Sequence, residues 1–215
     1  MKRGILMTLP RSDDVTEYLA AFSKSIIDSC EQNLIRIKTL DKEKATKTNF
    51  EKTLDKLDFN MLIFNGHGSI NSITGHRKEV IIQLGKNENI LFGRITYARS
   101  CWFASGLATL SKTDQEGCFV GYNIPFRFLI DTRYATNPIK DNTAKIFFET
   151  SNLIPLGLIK GHSAKEADEN SKKSMLKAIN KALKNPTENS QAIAENLWNN
   201  YFGQVIVGNS DSKFI

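Results

Sequence analysis

The sequence predicts an α/β protein: one domain, residues 1–215, built as a three-layer α/β/α sandwich around a mostly parallel sheet of about six strands. Short apolar runs alternate with longer segments whose apolar residues recur at helical spacing. Runs such as NMLIFN contain few polar residues, which is typical of strands buried on both faces of a sheet. The sequence shows no internal repeat and no linker-like stretch, which favours a single domain.

The elements follow from apolar spacing and from helix-start and turn signals. Pro10 ends the first strand, and Asp13 and Asp14 begin the first helix because aspartate side chains accept hydrogen bonds from free amides. We predict strands at 4–9, 34–37, 60–65, 94–100 and 118–122, helices at 13–27, 48–57 and 103–111, and a hairpin joining 80–84 to 90–92.

Beyond Pro138 the pattern is mostly helical. Ser163 and Glu166 have the spacing of a capping box at a helix start, and Pro155 is expected to separate two helices. We predict helices at 142–151, 163–184 and 189–201, and a last strand at 204–207.

Composition excludes several classes of protein. Hydrophobic content of 40% and charged content of 24% are globular values, and no apolar run reaches the roughly 18 residues of a membrane span. The basic start precedes an apolar run shorter than the roughly 7–15 residues of a signal peptide, so we expect a cytoplasmic protein. Cys30, Cys101 and Cys118 form no disulfide framework or Cys-x-x-Cys pair, and we expect no metal and no cofactor.

The net charge of +6 raises the question of nucleic acid as a partner. Much of the basic excess lies in residues 160–184, where lysines recur at helical spacing and are explained by a solvated helix face. Charge alone would give weak, salt-dependent and sequence-indifferent binding. We therefore do not expect nucleic acid as a direct ligand.

An imidazole and a thiol follow neighbouring core strands, in IFNGHGS and ITYARSCWFASGL. Either alone has an ordinary explanation, His67 as a turn residue and Cys101 as a small buried hydrophobe. Because reactive groups gather at the carboxyl ends of parallel strands, their joint placement predicts a general base and a nucleophile. The helix after Cys101 is expected to favour the thiolate, and the amides of Gly68 and Cys101 to form an oxyanion hole.

These segments resemble the caspase-like cysteine peptidases of clan CD. LIFNGHGS is similar to the family's histidine strand and ITYARSCWFASG to its cysteine strand, while GCFVGYNIPF and GHSAKEADENSKKSMLKAINKAL most resemble a bacterial CHAT domain. The resemblance covers the chain from Gly4 to about Leu183. It implies a cysteine endopeptidase that cleaves a protein or peptide substrate with a His67–Cys101 dyad, under the control of a regulatory protein partner.

The sequence also departs from caspases. His67 and Cys101 are 34 residues apart rather than roughly 50, and the Q-A-C-x-G motif is absent. By the resemblance, Arg99 lines the specificity pocket, and Arg11 is a second candidate; both would favour an acidic residue before the scissile bond. Asp131 would instead select Lys or Arg, and the preference stays open.

Two hypotheses for the function remain at this point. The first is the active peptidase, and the second is a catalytically silent caspase-like scaffold or regulatory module in which Cys101 is unreactive.

Overall fold

The computed structural model describes residues 4–108 and 117–214. Six strands form the central sheet: β1 (Gly4–Leu9), β2 (Arg36–Asp41), β3 (Met61–Phe64), β6 (Ile95–Ala98), β7 (Cys118–Tyr122) and β8 (Gln204–Gly208). Their order is β2-β1-β3-β6-β7-β8. A separate antiparallel pair consists of β4 (Ser72–Thr74) and β5 (Val80–Gln83).

Helices cover both faces of the sheet. They are α1 (Asp14–Phe22), α2 (Lys24–Gln32), α3 (Lys47–Lys56), α4 (Phe103–Ala108), α5 (Asn142–Ile159), α6 (Ala164–Lys184) and α7 (Ser190–Gly203). The predicted three-layer α/β/α sandwich with a mostly parallel six-stranded sheet is confirmed. None of the helices in the described ranges is both long and apolar enough to span a membrane.

Alternate residues of the central strands face two separate cores. On β1, Ile5 and Met7 pack in a cluster that includes residues of α2, α5 and α6. Leu6 lies between them and packs on the other face, with residues of α3, α4 and β5. The strands are therefore buried on both sides, which explains why their sequences are nearly continuous in apolar residues.

The direction of the strands determines where a site can form. β1 pairs in parallel with β2 and β3, β3 with β6, and β6 with β7, whereas β8 runs antiparallel at the edge. The carboxyl ends of β1, β3, β6 and β7 therefore lie along one edge of the sheet, and the segments that follow them lie side by side.

Several predicted elements differ from the structure. The first helix is divided at Ser23 into α1 and α2, and the second strand lies later, at β2. Residues 109–111 of the helix predicted at 103–111 lie outside the described ranges. The predicted hairpin of 80–84 with 90–92 is wrong. β5 pairs with β4 instead, and Glu88–Leu91 is a 3-10 turn.

The predicted break at Pro155 is also wrong, because α5 continues through it. Proline cannot donate to the carbonyl four residues earlier, which here belongs to Ser151. The hydroxyl of Tyr97 donates to that carbonyl oxygen at 3.0 Å. A side chain from β6 thus replaces the lost helical hydrogen bond and allows the helix to continue.

Candidate functional site

The register of β3 and β6 brings His67 and Cys101 to the same edge of the sheet. Phe64 at the end of β3 pairs with Ala98 at the end of β6, and each predicted site residue is the third after its strand's last pair. The pairing extends one step further, since the amide of Arg99 donates to the carbonyl of Phe64 at 3.1 Å. The two predicted residues therefore lie on adjoining strand ends.

Gly68 lies directly against the backbone of Cys101. A Cβ added at Gly68 would be 2.7 Å from the Cys101 carbonyl oxygen and 2.8 Å from Ser100 Cβ, so this approach requires glycine. Gly68 lies opposite Ile73 in an isolated antiparallel bridge. The two hydrogen bonds of this bridge are made by the residues on either side of Gly68 and Ile73, not by Gly68 and Ile73 themselves. This arrangement leaves the Gly68 N–H without a backbone partner among the described residues.

Cys101 is half-buried, and its thiol is not acidified. Burial raises the pKa of Cys101, and it outweighs the backbone amides of Phe126 and of Cys101 itself, which act to lower the pKa. The expectation that the following helix favours the thiolate stays a prediction, and burial acts against it. The pKa of the thiol therefore lies above its ordinary value.

The Phe126 amide is a site group that the sequence did not reveal. It lies in the loop after β7, where asparagine side chains of α7 hold both neighbouring residues. Asn199 Nδ2 donates to the Pro125 carbonyl at 2.7 Å, and Asn200 exchanges hydrogen bonds of 2.8 and 2.6 Å with the amide and carbonyl of Arg127. These contacts fix the peptide whose N–H faces Cys101.

His67 is paired with a carboxylate. Its side chain is 34% exposed, and its Nε2 lies 2.6 Å from Oδ2 of Asp13, the N-cap of α1. Burial acts to raise the pKa of Asp13, but hydrogen bonds from Thr16 and His67 prevail and the pKa lies below its usual value. The sequence contained a signal for this role, because Asp13 follows a strand that ends at the same edge of the sheet. From the sequence, however, Asp13 is predicted only as a helix cap.

Arg99 is not available to a substrate, so its predicted place in a specificity pocket is wrong. Its side chain is only 2% exposed. The guanidinium donates to Oδ1 of Asn65 at 3.0 and 2.5 Å, to Oδ1 of Asn152 at 3.0 Å and to Oγ of Ser23 at 2.7 Å. Burial lowers its pKa. Arg99 is thus an internal support that connects β3 with α5 and with the turn at Ser23.

The other two predicted specificity residues are engaged by neighbouring charges. Arg11 Nε donates to Asp41 Oδ1 at 2.9 Å, and its Nη1 pairs with Glu17. Both oxygens of Asp131 accept hydrogen bonds from the guanidinium of Arg133, the shortest at 2.6 Å. Neither residue is the free charge that the expectation about substrate preference requires.

The remaining cysteines lie in the core, as predicted, with Cys30 fully buried and Cys118 5% exposed. Within residues 4–108 and 117–214, no three His, Cys, Asp or Glu side chains are grouped so that they could hold a metal ion.

Comparisons of the chain with protein-family models and with curated proteins find no match. The residues at these strand ends are therefore the basis on which a function is inferred.

Proposed function

We propose that the chain is a caspase-like cysteine endopeptidase that cleaves a protein or peptide substrate with Cys101 as nucleophile and His67 as base. The observation that carries the proposal is the β3–β6 register, which brings the histidine and the cysteine to adjoining strand ends. A base within reach of a nucleophile, itself oriented by a third group, is the usual arrangement in nucleophilic catalysis. Asp13 is such a third group.

The raised pKa of Cys101 determines how the first step runs. The thiol enters the reaction neutral, and His67 takes its proton while the sulfur attacks the scissile carbonyl carbon. A carbon–sulfur bond forms, and the carbonyl π electrons move to oxygen. The N–H groups of Gly68 and Cys101 stabilise that negative charge.

Three further proton transfers complete the cycle. The imidazolium of His67 donates its proton to the leaving nitrogen, the carbon–nitrogen bond breaks, and the acyl group remains on Cys101 as a thioester. Water then attacks the thioester, with His67 accepting a proton from it and returning one to the sulfur. The products are an amine and a carboxylic acid, and the thiol of Cys101 is regenerated.

The direct test is cleavage of a diverse peptide library by wild type and by Cys101→Ala and His67→Ala. Cys118→Ala is the matched control, because Cys118 is a buried thiol at the opposite end of the neighbouring strand. We expect cleavage by wild type and Cys118→Ala, and a loss of at least about 1,000-fold in the other two. Equal cleavage by all four proteins would eliminate the assignment.

The second candidate is a catalytically silent regulatory module in which Cys101 is unreactive. The observation behind it is the burial that raises the pKa of this thiol. A peptide electrophile that labels Cys101 only when His67 is present would exclude this candidate. Absence of labelling, with the fold intact, would support it.

The proposal includes a cytoplasmic location and a regulatory protein partner. Three free thiols within the described ranges suit a reducing compartment. The partner is proposed on the resemblance to caspase-like peptidases.

A further inference from the structure

The two carboxylate oxygens of Asp13 have separate partners. Oδ1 accepts from the amide of Thr16 at 2.9 Å and from its hydroxyl at 2.8 Å, which is the capping contact at the start of α1. Oδ2 lies 2.6 Å from Nε2 of His67. One side chain therefore both begins a helix and contacts the proposed base.

The loop that carries Asp13 is held in place on both sides. His76 Nδ1 donates to the carbonyl of Pro10 at 2.9 Å, which fixes the end of β1. The amide of Ser12 donates to the Thr16 hydroxyl at 2.9 Å. The position of Oδ2 is therefore set by backbone contacts as well as by its bond to His67.

This contact determines which nitrogen of His67 can act as the base. An ionised carboxylate only accepts hydrogen bonds, so the ring nitrogen that faces it must carry the hydrogen. In the neutral imidazole that leaves the lone pair on Nδ1. The depressed pKa of Asp13 is consistent with a carboxylate that stays ionised at neutral pH.

We propose that Asp13 is a positioning residue that holds His67 in its Nε2–H tautomer, so that Nδ1 accepts the Cys101 proton. The inference rests on the proposed peptidase function and extends the His67–Cys101 pair to a group of three. Asp13 then also stabilises the imidazolium after the proton transfer, by charge and by the same hydrogen bond.

Asp13→Asn separates this role from capping. Asparagine caps helices about as well as aspartate, so Oδ1 keeps its contacts with Thr16. Its Nδ2 would replace Oδ2 and donate to Nε2 of His67, which would move the ring proton to Nδ1. We expect kcat/KM on the most rapidly cleaved library peptide to fall about 100- to 10,000-fold, mostly in kcat, with Tm changed by less than about 2 °C.

Asp13→Ser and Ser163→Ala complete the design. Serine caps the helix but leaves Nε2 free, so the kcat/KM loss should be smaller than for Asp13→Asn. Ser163→Ala removes a capping box at α6, and it should lower Tm by about 2–4 °C without changing kcat/KM. A purely structural role would instead make activity follow Tm in all three variants, and that result would overturn the proposal.

The ring tautomer provides a readout that does not depend on peptidase activity. Nitrogen-15 chemical shifts of neutral His67 should report Nε2–H in the wild type and Nδ1–H in Asp13→Asn. A wild-type ring protonated on Nδ1, or equal kcat/KM in wild type and Asp13→Asn, overturns the proposal. If the wild type cleaves no peptide but the tautomer still differs as expected between the wild type and Asp13→Asn, the positioning of His67 is supported and the peptidase function is rejected.

Discussion

Replacing Arg99 tests whether it is an internal support. Arg99→Ala would leave the buried amide oxygens of Asn65 and Asn152 without their donors. Each orphaned buried acceptor costs about 1–3 kcal/mol, and the vacated space adds to that cost. The carbonyl of Leu19 would be less affected, because the Ser23 hydroxyl also donates to it at 2.7 Å. We therefore expect a loss of about 3–6 kcal/mol in the free energy of unfolding.

Urea unfolding followed by far-ultraviolet circular dichroism measures this loss. A change of this size is a large part of the roughly 5–15 kcal/mol stability of a domain, so Arg99→Lys provides a milder variant. Lysine keeps the charge but lacks the planar fork that reaches both amides, and we expect it to cost about 1–3 kcal/mol. Arg127→Ala is the matched control, because its side chain is exposed, and it should change stability by less than about 0.5 kcal/mol.

The two roles considered for Arg99 give opposite results. An internal support loses stability in both variants, with alanine worse than lysine. A substrate-binding arginine would raise KM in both while the urea midpoint stayed at the wild-type value. A loss below about 1 kcal/mol in Arg99→Ala would refute the reasoning from the buried hydrogen bonds.

Three further predictions concern thiols and the strand-end contact. Native protein treated with iodoacetamide should be alkylated at Cys101 first, since Cys30 and Cys118 are buried and burial raises their pKa to about 11 and about 12; peptide mapping identifies the site. These raised values also predict that the free energy of unfolding is greatest below the ordinary thiol pKa of 9.0 and falls as pH rises toward 11. Urea midpoints should therefore be lower at pH 10 than at pH 8, and Cys118→Ala should show a smaller drop. Gly68→Ala should lose at least about tenfold in kcat/KM because its Cβ would force the Cys101 backbone away; an unchanged value would show that this approach is not needed.

Much of the fold could be predicted because it is encoded locally. The six residues of β1 and the five of β7 match their predicted ranges, since short apolar runs bounded by turn signals leave few alternatives. The capping box of Ser163 and Glu166 is also present. The same local reasoning failed at Pro155, because the Tyr97 hydroxyl that satisfies the freed carbonyl comes from a distant strand.

The candidate site could likewise be predicted only where it depends on local sequence and strand order. The adjoining positions of His67 and Cys101 follow from strand order, which alternation of strands and helices predicts well. Burial of Arg99 could not be predicted, because its acceptors come from segments up to 80 residues away. The roles of Asp13 and the Phe126 amide likewise depend on contacts that only tertiary structure creates.

The contacts around the site also bear on how the chain reaches its native state. Thr8 and Asn65 are separated by 57 residues, Asn65 and Arg99 by 34, and Arg127 and Asn200 by 73. Closing such long segments carries an entropy cost that slows folding of parallel sheets. The peptide that faces Cys101 is held only after α7 has docked. The reactivity of the Cys101 thiol should therefore reach its native value last during refolding.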